Sequence, residues 1–175
     1  MPVPDLSFFN QVYTGLDILE QMDFKFLIDK NIGIFCNQTA VNRKNNHLLD
    51  LIGKNQKISI KAIFEPEHGI WGMDDKRAKL IGNERIDPVS GAKVFNLLER
   101  SLYPPDWILK DLDLIVVDIQ DTGARYTTFI ASISKLFESA NKHKIPIIIL
   151  DRPNPVGGVI IEGPLPRQNY QSFEA

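Results

Sequence analysis

Four groups of polar and charged side chains each follow directly after an apolar run that predicts a strand. The groups are Asn37-Gln38-Thr39, Glu65-Pro66-Glu67-His68-Gly69, Asp118-Ile119-Gln120-Asp121-Thr122-Gly123-Ala124-Arg125 and Asp151-Arg152-Pro153-Asn154-Pro155. Their carboxylate, imidazole, amide and guanidinium groups can transfer protons and hydrogen-bond polar ligands. The carboxyl ends of parallel strands lie along one edge of an open sheet, and ligands bind in the crevice outside that edge. We therefore expect the four groups to form one site.

The second group contains the candidate acid. Pro66 lacks a backbone donor and Gly69 permits a sharp bend, so Glu67 and His68 need not continue the strand. Glycoside hydrolysis requires a carboxylic acid that protonates the leaving oxygen, usually with a second carboxylate as nucleophile or base. Glu67 is the predicted acid or acid/base, and His68 either orients it or binds a sugar hydroxyl. The alternative is a solvated turn in which Glu67 pairs with a cation, and Glu65 is predicted to be solvated.

The third group carries two carboxylates at a strand end. Asp118 follows a buried run and is predicted to face the site as a catalytic group, whereas Asp121 either binds substrate or caps the following helix. Together with Asp151, these side chains also suit Mg²⁺ and phosphate, so a Mg²⁺-dependent phosphohydrolase is a second hypothesis. A sugar-binding domain without catalysis is a third. Only the second hypothesis involves a metal, and no cofactor is predicted for the others.

Arg125 ends the third group and is expected in the first turn of the following helix. A positive charge is unfavourable there because of the helix macrodipole, so the arginine needs a reason to be present. It either pairs with Asp118 or Asp121, or receives a ligand carboxylate in a bidentate fork.

The fourth and first groups are candidates for substrate binding. Two prolines restrict the backbone around Asp151, Arg152 and Asn154, which suits a rigid hydrogen-bonding wall. The alternative is a turn that leaves the domain, with Asp151 paired to Arg152. Asn37 and Gln38 can hydrogen-bond sugar hydroxyls, or they belong to a turn in which an Asn or Thr side chain caps a helix.

Apolar runs predict strands that alternate with helical patterns. The predicted strands cover residues 32–36, 58–64, 93–98, 114–117 and 145–150, and the predicted helices start at Thr14 and cover 47–52, 104–109 and 126–144. Thr14 is the expected N-cap of the first helix, with Asp17 completing a capping box and the apolar pattern stopping near Asp29. Alternating strands and helices are typical of parallel βαβ units, so we predict an α/β fold.

Two segments fall outside this alternation. Residues 65–93 show no periodicity and are too long for an ordinary connection, which predicts a functional loop or lid. After Asp151 the proline and glycine content rises, and residues 159–162 are the only further strand candidate. We therefore predict one domain over residues 1–155 and the start of a truncated C-terminal region over residues 156–175.

The composition excludes several classes of protein. A net charge of -2 among 175 residues gives no basic footprint for a nucleic-acid partner. No apolar stretch of about 18 residues predicts a membrane span. No leader pattern is present, so the sequence predicts a cytoplasmic location, or a periplasmic or secreted one if a leader was removed. Cys36 lies in a buried run and is predicted to be inert.

With these residues, the chain resembles the N-terminal half of the exo-lytic β-N-acetylmuramidase (NamZ-like) family. The resemblance runs from Gly15 to Gly163 and rests on ordered motifs: Asn37-Gln38-Thr39, Phe64 with Pro66-Glu67-His68-Gly69, Asp118-Ile119-Gln120-Asp121 with Gly123-Ala124-Arg125, and Asp151-Arg152-Pro153-Asn154-Pro155 with Gly157-Gly158 and Glu162-Gly163-Pro164. The chain departs from the family in two places, since Thr127 stands where an aromatic residue is common and Asn96-Leu97 replaces a Ser-Leu-Tyr stretch.

The resemblance implies a Rossmann-like domain, a mostly parallel sheet with helices on both faces, that packs on a C-terminal domain absent from this chain. It implies a hydrolase of bacterial cell-wall recycling that releases terminal non-reducing N-acetylmuramic acid from peptidoglycan fragments, with Glu67 matching the proposed catalytic glutamate. The missing domain is expected to complete the cleft. Muramic acid carries a lactyl carboxylate, which Arg125 or Arg152 can bind.

Overall fold

Short apolar runs form one sheet, and amphipathic segments form the helices around it. The computed structural model describes residues 12–72, 79–81, 84–97 and 101–170. The helices in this part are α1 (Gly15–Gln21), α2 (Leu48–Ile52), α3 (Asp106–Leu109) and α4 (Phe129–His143). The strands are β1 (Asn31–Cys36), β2 (Ser59–Glu65), β3 (Lys79–Ile81), β4 (Glu84–Ile86), β5 (Lys93–Asn96), β6 (Leu114–Asp118) and β7 (Ile147–Ile149). The five strands predicted from the sequence are therefore confirmed.

The sheet has the strand order β3-β4-β5-β2-β1-β6-β7. The strands from β5 to β7 are parallel, whereas β3 and β4 extend the sheet as antiparallel strands beyond β5. After β1 the chain adds β2 and β5 on one side and then returns to add β6 and β7 on the other. This confirms the Rossmann-like prediction and places the topological switch point between β1 and β6.

Strand β6 shows how the sheet is covered on both faces. Leu114 and Val116 pack in one apolar cluster with α1 and α2, while Ile115 and Val117 pack in a second cluster with α3 and α4. All four side chains are buried because alternate residues of a strand point to opposite faces. The predicted helices on both faces are confirmed.

Helix α1 begins as predicted and ends earlier. The hydroxyl of Thr14 accepts a hydrogen bond from the Asp17 N–H, and the Asp17 carboxylate accepts one from the Thr14 N–H at 2.8 Å, which completes the capping box. The apolar pattern continues to Asp29, but the helix stops at Gln21 because Asp23 and Phe24 adopt positive φ angles of 51° and 54°. Phe24 then packs against the core, and this tertiary contact outweighs the helical pattern.

Two segments differ from the sequence predictions. Strands β3 and β4 lie within the predicted lid, so part of that segment belongs to the sheet; strands of three residues are too short to produce a periodic pattern. The strand predicted over residues 159–162 is wrong, because this segment has no neighbouring strand in the described structure and Val159 and Ile161 are 96% and 95% exposed. The domain boundary at residue 155 stays a prediction.

None of the helices in the described ranges has the length and apolar character needed to cross a membrane.

Gly15 lies so close to the chain after β7 that adding one methyl group at this position should strongly lower the stability of the protein. The Gly15 N–H donates to the Asp151 carbonyl at 2.7 Å, and a Cβ at Gly15 would lie 2.5 Å from the Leu150 Cα. Because backbone cannot move aside as a side chain can, we expect G15A to lower the free energy of unfolding by about 3 kcal/mol or more. Urea denaturation measures this.

The matched control is G158A. A Cβ at Gly158 meets no atom within 4 Å, so this variant should stay within about 0.5 kcal/mol of wild type. Equal stabilities for the two variants would contradict the close approach at Gly15.

Candidate functional site

The first polar group forms a turn at the switch point. Asn37 is 1% exposed, and its side-chain oxygen accepts hydrogen bonds from the Thr39 N–H at 3.0 Å and hydroxyl at 2.6 Å. The Thr39 hydroxyl oxygen in turn accepts the Gln120 N–H at 2.8 Å, which joins the ends of β1 and β6. Gln38 is exposed, and its amide packs against Gly72. Asn37 therefore stabilises the turn, while Gln38 is accessible to a ligand.

His47 stabilises this turn through a hydrogen bond to its backbone. Its Nδ1 accepts the Leu49 N–H at 3.3 Å at the start of α2, so the ring proton is on Nε2, which donates to the Asn37 carbonyl at 2.9 Å. The ring also lies 4.6 Å from the ring of Trp71, between centroids. His47 is 4% exposed, so it is a buried part of the structure beneath the site.

Glu67 lies in a β-turn that follows β2. The Gly69 N–H donates to the Pro66 carbonyl at 3.1 Å, and His68 and Gly69 have φ angles of 68° and 73°, so the bend starts one residue before the predicted glycine. The Glu67 side chain is 36% exposed, and its Oε2 accepts a hydrogen bond from the Thr128 hydroxyl at 3.1 Å. The His68 Nε2 lies 4.0 Å from the Glu67 Oε1 and is exposed.

Glu65 behaves differently from its neighbour. Its side chain is 1% exposed and forms an ion pair with Arg85 of β4, and Asn96 donates to its Oε1 at 3.4 Å. The prediction that Glu65 is solvated is therefore wrong. A buried carboxylate is stabilised only by such partners, so this pair fixes the end of β2 to β4 and β5.

Asp118 and Arg152 form a buried ion pair between the ends of β6 and β7. The Arg152 Nε donates to the Asp118 Oδ1 at 2.5 Å, and its Nη2 donates to Oδ2 at 3.0 Å and to the Val41 carbonyl at 3.1 Å. The side chains are 0% and 8% exposed. Burial raises the pKa of Asp118 above its ordinary value of 3.8, and the Arg152 contacts oppose this shift. Asp118 thus does not face the solvent side of the edge.

Asp121 holds the turn that precedes α4. Its Oδ1 accepts the Gly123 N–H at 2.7 Å, and its Oδ2 lies 3.1 Å from the Thr127 hydroxyl, which is shared with the Ala124 carbonyl at 2.8 Å. Gln120 donates from its side chain to the Asp121 carbonyl at 2.7 Å and to the Pro153 carbonyl at 2.9 Å. Asp121 therefore has a local structural role. This resembles the helix-capping alternative, but Asp121 stabilises the turn before α4 and is not the N-cap of that helix.

Arg125 lies outside the helix. Because α4 starts only at Phe129, the predicted conflict between Arg125 and the helix macrodipole was wrong. The Arg125 Nη1 donates to the Pro164 carbonyl at 2.7 Å, and the side chain is otherwise exposed. Neither Asp118 nor Asp121 is its partner among the described residues, so the predicted pairing with these aspartates is also wrong.

The chain after β7 packs against the turn before α4. The Asn154 Oδ1 accepts the Val156 N–H at 3.1 Å, and the Asn154 side chain lies so close to Gly123 that no side chain fits there. Gly123 also has a φ of 74°, which favours glycine. Asp151 is exposed, and its carboxylate makes no hydrogen bond or ion pair with the residues that the structure describes. Its pairing with Arg152 was predicted as an alternative, but Arg152 pairs with Asp118.

Direct contacts join the first group to the third and the third to the fourth, and the second group lies beside the first at the end of the neighbouring strand β2. Thr39 contacts Gln120, Gln38 packs on Gly72, Thr128 holds Glu67, and Arg152 holds Asp118. The predicted gathering at the carboxyl edge is supported by these contacts, although Asn37 and Asp118 are buried within it.

Two surface concavities formed by described residues lie elsewhere. One of about 390 Å³ is lined by residues that include Asp17, Glu20 and Arg43, and one of about 320 Å³ by residues that include Tyr103 and Lys142. Neither includes a predicted site residue. We place the candidate site at the sheet edge, because ligands of this fold bind outside the switch point and the partly exposed titratable groups lie there.

The described side chains do not support the metal hypothesis. No group of three or more His, Cys, Asp or Glu side chains in the described ranges lies close enough together to hold a metal ion. The aspartates expected to share Mg²⁺ have other roles: Asp118 pairs with Arg152 and Asp121 holds a turn.

Three contributors were missed from the sequence. Thr128 precedes α4 as an ordinary helix-start residue, and nothing in its neighbourhood indicates a partner 61 residues earlier. Arg85 lies in a segment without periodicity, and His47 lies before a short apolar helix. A helix-start threonine and an imidazole beside an apolar run are the only local signals.

Comparisons with known proteins show the family and support the fold. The family model described as "Exo-beta-N-acetylmuramidase NamZ, N-terminal" matches residues 32–175. The "Peptidoglycan beta-N-acetylmuramidase NamZ" of Bacillus subtilis (strain 168) is 37% identical over 163 residues, which cover 93% of this chain and 39% of that protein.

Two crystal structures of DUF1343 family proteins from Bacteroides fragilis NCTC 9343 have the same fold. The match to the first has a TM-score of 0.79 and 33% identity, and it covers 92% of this chain and 40% of the other protein. The other has a TM-score of 0.72 and 32% identity, with 94% and 41% covered. The chain therefore spans about two fifths of the length of these relatives.

The buried ion pair predicts a pH-dependent loss of stability when its cation is removed. In R152M, Asp118 is left buried without a partner, so the free energy of unfolding should fall by about 3–5 kcal/mol at pH 7.5. Without Arg152, the pKa of Asp118 rises further. A carboxyl with a raised folded-state pKa destabilises as the pH rises from 3.8 through that pKa, so the deficit should be smaller at pH 5.

Chemical denaturation at both pH values measures the deficit. The control is the double variant D118N/R152M, which removes the buried charge and should recover part of the loss at pH 7.5. An R152M protein as stable as wild type at pH 7.5 would show that the pair does not hold the edge together.

Proposed function

The chain belongs to the family of N-terminal domains of exo-beta-N-acetylmuramidase NamZ, and on this premise we propose that it supplies part of a glycoside hydrolase site. The proposed reaction is the exo-lytic release of terminal non-reducing β-N-acetylmuramic acid from peptidoglycan fragments. The observation that carries the proposal is the partly exposed Glu67 carboxylate at the carboxyl edge of the sheet, held by Thr128 and flanked by His68. The similarity to a peptidoglycan β-N-acetylmuramidase supports the substrate class.

Glu67 acts as the general acid or acid/base. Protonated Glu67 donates its proton to the glycosidic oxygen while the bond between that oxygen and the anomeric carbon breaks. The remaining saccharide leaves as an alcohol, water supplies the new hydroxyl at the anomeric carbon, and the proton that this water loses returns to Glu67 or goes to the second catalytic group. His68 lies on the exposed side of Glu67, where it orients the carboxyl or binds a sugar hydroxyl.

The second catalytic group is a residue other than Asp118 and Asp121. Asp118 is fully buried in its pair with Arg152, and both Asp121 oxygens hold a turn, so these carboxylates act as structural supports. The site residues of this chain lie outside the two concavities, and the relatives are longer. We propose that the remaining length of such a protein completes the cleft over this edge and contributes the second group.

Arg152 is the proposed receptor for the lactyl carboxylate of muramic acid. Its Nε and Nη2 are occupied by Asp118 and Val41, while Nη1 has no partner in the part of the chain that the structure describes. A guanidinium fixed on one side presents its remaining donors in one direction, which suits a planar anion. Gln38, Asp151 and Asn154 then line the same edge for sugar hydroxyls.

The first test removes the proposed acid. We expect E67Q to lower kcat for release of muramic acid from a chromogenic muramide by at least about 100-fold, because a general acid contributes this much or more. The amide keeps the size of the side chain, so the melting temperature should stay unchanged. Rates are measured in the complete polypeptide that carries this chain.

The matched control is E138Q, the same exchange at an exposed glutamate of α4 that pairs with Lys135, which should leave kcat unchanged. Unaltered turnover in E67Q would remove Glu67 from the mechanism. A wild-type protein that binds muramic acid without hydrolysing the muramide would instead support the non-catalytic sugar-binding alternative.

The second test concerns the carboxylate receptor. The ratio of kcat/KM for a muramide to that for the matching glucosaminide, which lacks the lactyl group, should fall by about 10-fold in R152K, because a hydrogen bond to a charged group is worth about 1.5 kcal/mol or more. R125A should keep the wild-type ratio. If R125A loses the preference and R152K keeps it, the carboxylate is bound by Arg125.

A further inference from the structure

Thr128 occupies a helix start without capping the helix. It is the N-cap residue of α4, is 8% exposed, and has backbone angles of −80° and −9°. An N-cap threonine usually accepts a hydrogen bond from an N–H of the first helical turn, but the Thr128 side chain makes no such bond. Its hydroxyl donates instead to the Glu67 Oε2 at 3.1 Å. Thr14, which does cap α1 with its side chain, provides the contrast within this chain.

This contact connects a partly exposed turn to a rigid element. Helix α4 is fixed to the core by Leu136 and Ala140, which are 0% and 1% exposed. A β-branched side chain has few χ1 rotamers, so the position of the Thr128 hydroxyl follows the helix. A free glutamate side chain loses up to about 2 kcal/mol of rotamer entropy when it is ordered, and an anchor of this kind orders it before the substrate arrives.

The hydrogen bond also distinguishes the two oxygens of Glu67. Because Oε2 accepts the Thr128 hydroxyl proton, the transferable proton belongs on Oε1, the oxygen that lies on the side of His68. The chain thereby fixes both the direction of the carboxyl and the oxygen that faces the leaving group.

We propose that Thr128 is a positioning residue for Glu67, which it holds so that Oε1 is directed at the glycosidic oxygen. This inference rests on the proposed function for its catalytic consequence. The geometric part, that the Thr128 hydroxyl orders the Glu67 side chain, is independent of the reaction.

The kinetic experiment compares T128V, T128S and T14V in the complete polypeptide. T128V keeps the shape of the side chain and removes the donor, so we expect kcat to fall about 10-fold with KM unchanged, while T128S restores the wild-type kcat. T128V should keep the wild-type melting temperature, because no capping bond is lost. T14V should show the opposite pattern, a lower melting temperature with an unchanged kcat.

A spectroscopic measurement separates the inference from the proposed function. With ¹³C-labelled glutamate, the side-chain carboxyl signal of Glu67, assigned by its absence from E67Q, should shift in T128V, return in T128S and stay in place in T14V. If wild type releases no muramic acid, the proposed function fails, and this signal alone decides whether Thr128 orders Glu67.

Three results would overturn the inference. The first is a T128V protein with wild-type kcat and an unmoved Glu67 signal. The second is a T128S protein that restores neither the wild-type kcat nor the wild-type Glu67 signal. The third is a T128V protein whose melting temperature falls as far as that of T14V while its Glu67 signal stays in place, which would assign Thr128 to helix capping.

Discussion

The buried pair of Asp118 and Arg152 is the interaction on which the candidate site depends. It joins the end of β6 to the chain after β7, and the same guanidinium reaches the Val41 carbonyl beyond β1. Removing two charges from water costs several kcal/mol for each ion, and only excellent geometry with further hydrogen bonds offsets that cost. The bidentate contact and the bond to Val41 meet this requirement. One side chain therefore links the ends of three neighbouring strands, β1, β6 and β7.

The local features of this chain could be predicted, whereas its long-range polar partners could not. The strands, the capping box at Thr14 and the gathering of polar groups at strand ends follow from residue types within short windows, because burial periodicity and capping act between near neighbours. The pairing of Asp118 with Arg152 joins residues 34 positions apart, and several arrangements of the same charges were equally compatible with the sequence. Glu65 was predicted to be solvated because its partner Arg85 lies on a strand too short to recognise.

The candidate site combines rigid and accessible parts. Asn37, Glu65 and Asp118 are buried and stabilise the strand ends, while Glu67 and Asp151 extend from that framework toward solvent. Such a division is expected where catalysis requires fixed geometry, because a framework with satisfied hydrogen bonds limits the positions that the exposed groups can reach. The relatives extend well beyond the matched part, which agrees with an edge that carries functional groups without enclosing them.

The ligand-binding role proposed for Arg152, added to its ion pair with Asp118, has a consequence for how such a domain can diversify. A residue that holds the sheet edge together and also presents donors to a ligand cannot be exchanged without a large loss of stability. Changes in substrate preference should therefore accumulate at positions whose replacement leaves the strand ends intact. Gln38, His68 and Asn154 are exposed positions of this kind. New specificities on this scaffold would then evolve by substitution at such exposed positions, while the ion pair between Asp118 and Arg152 stays the same.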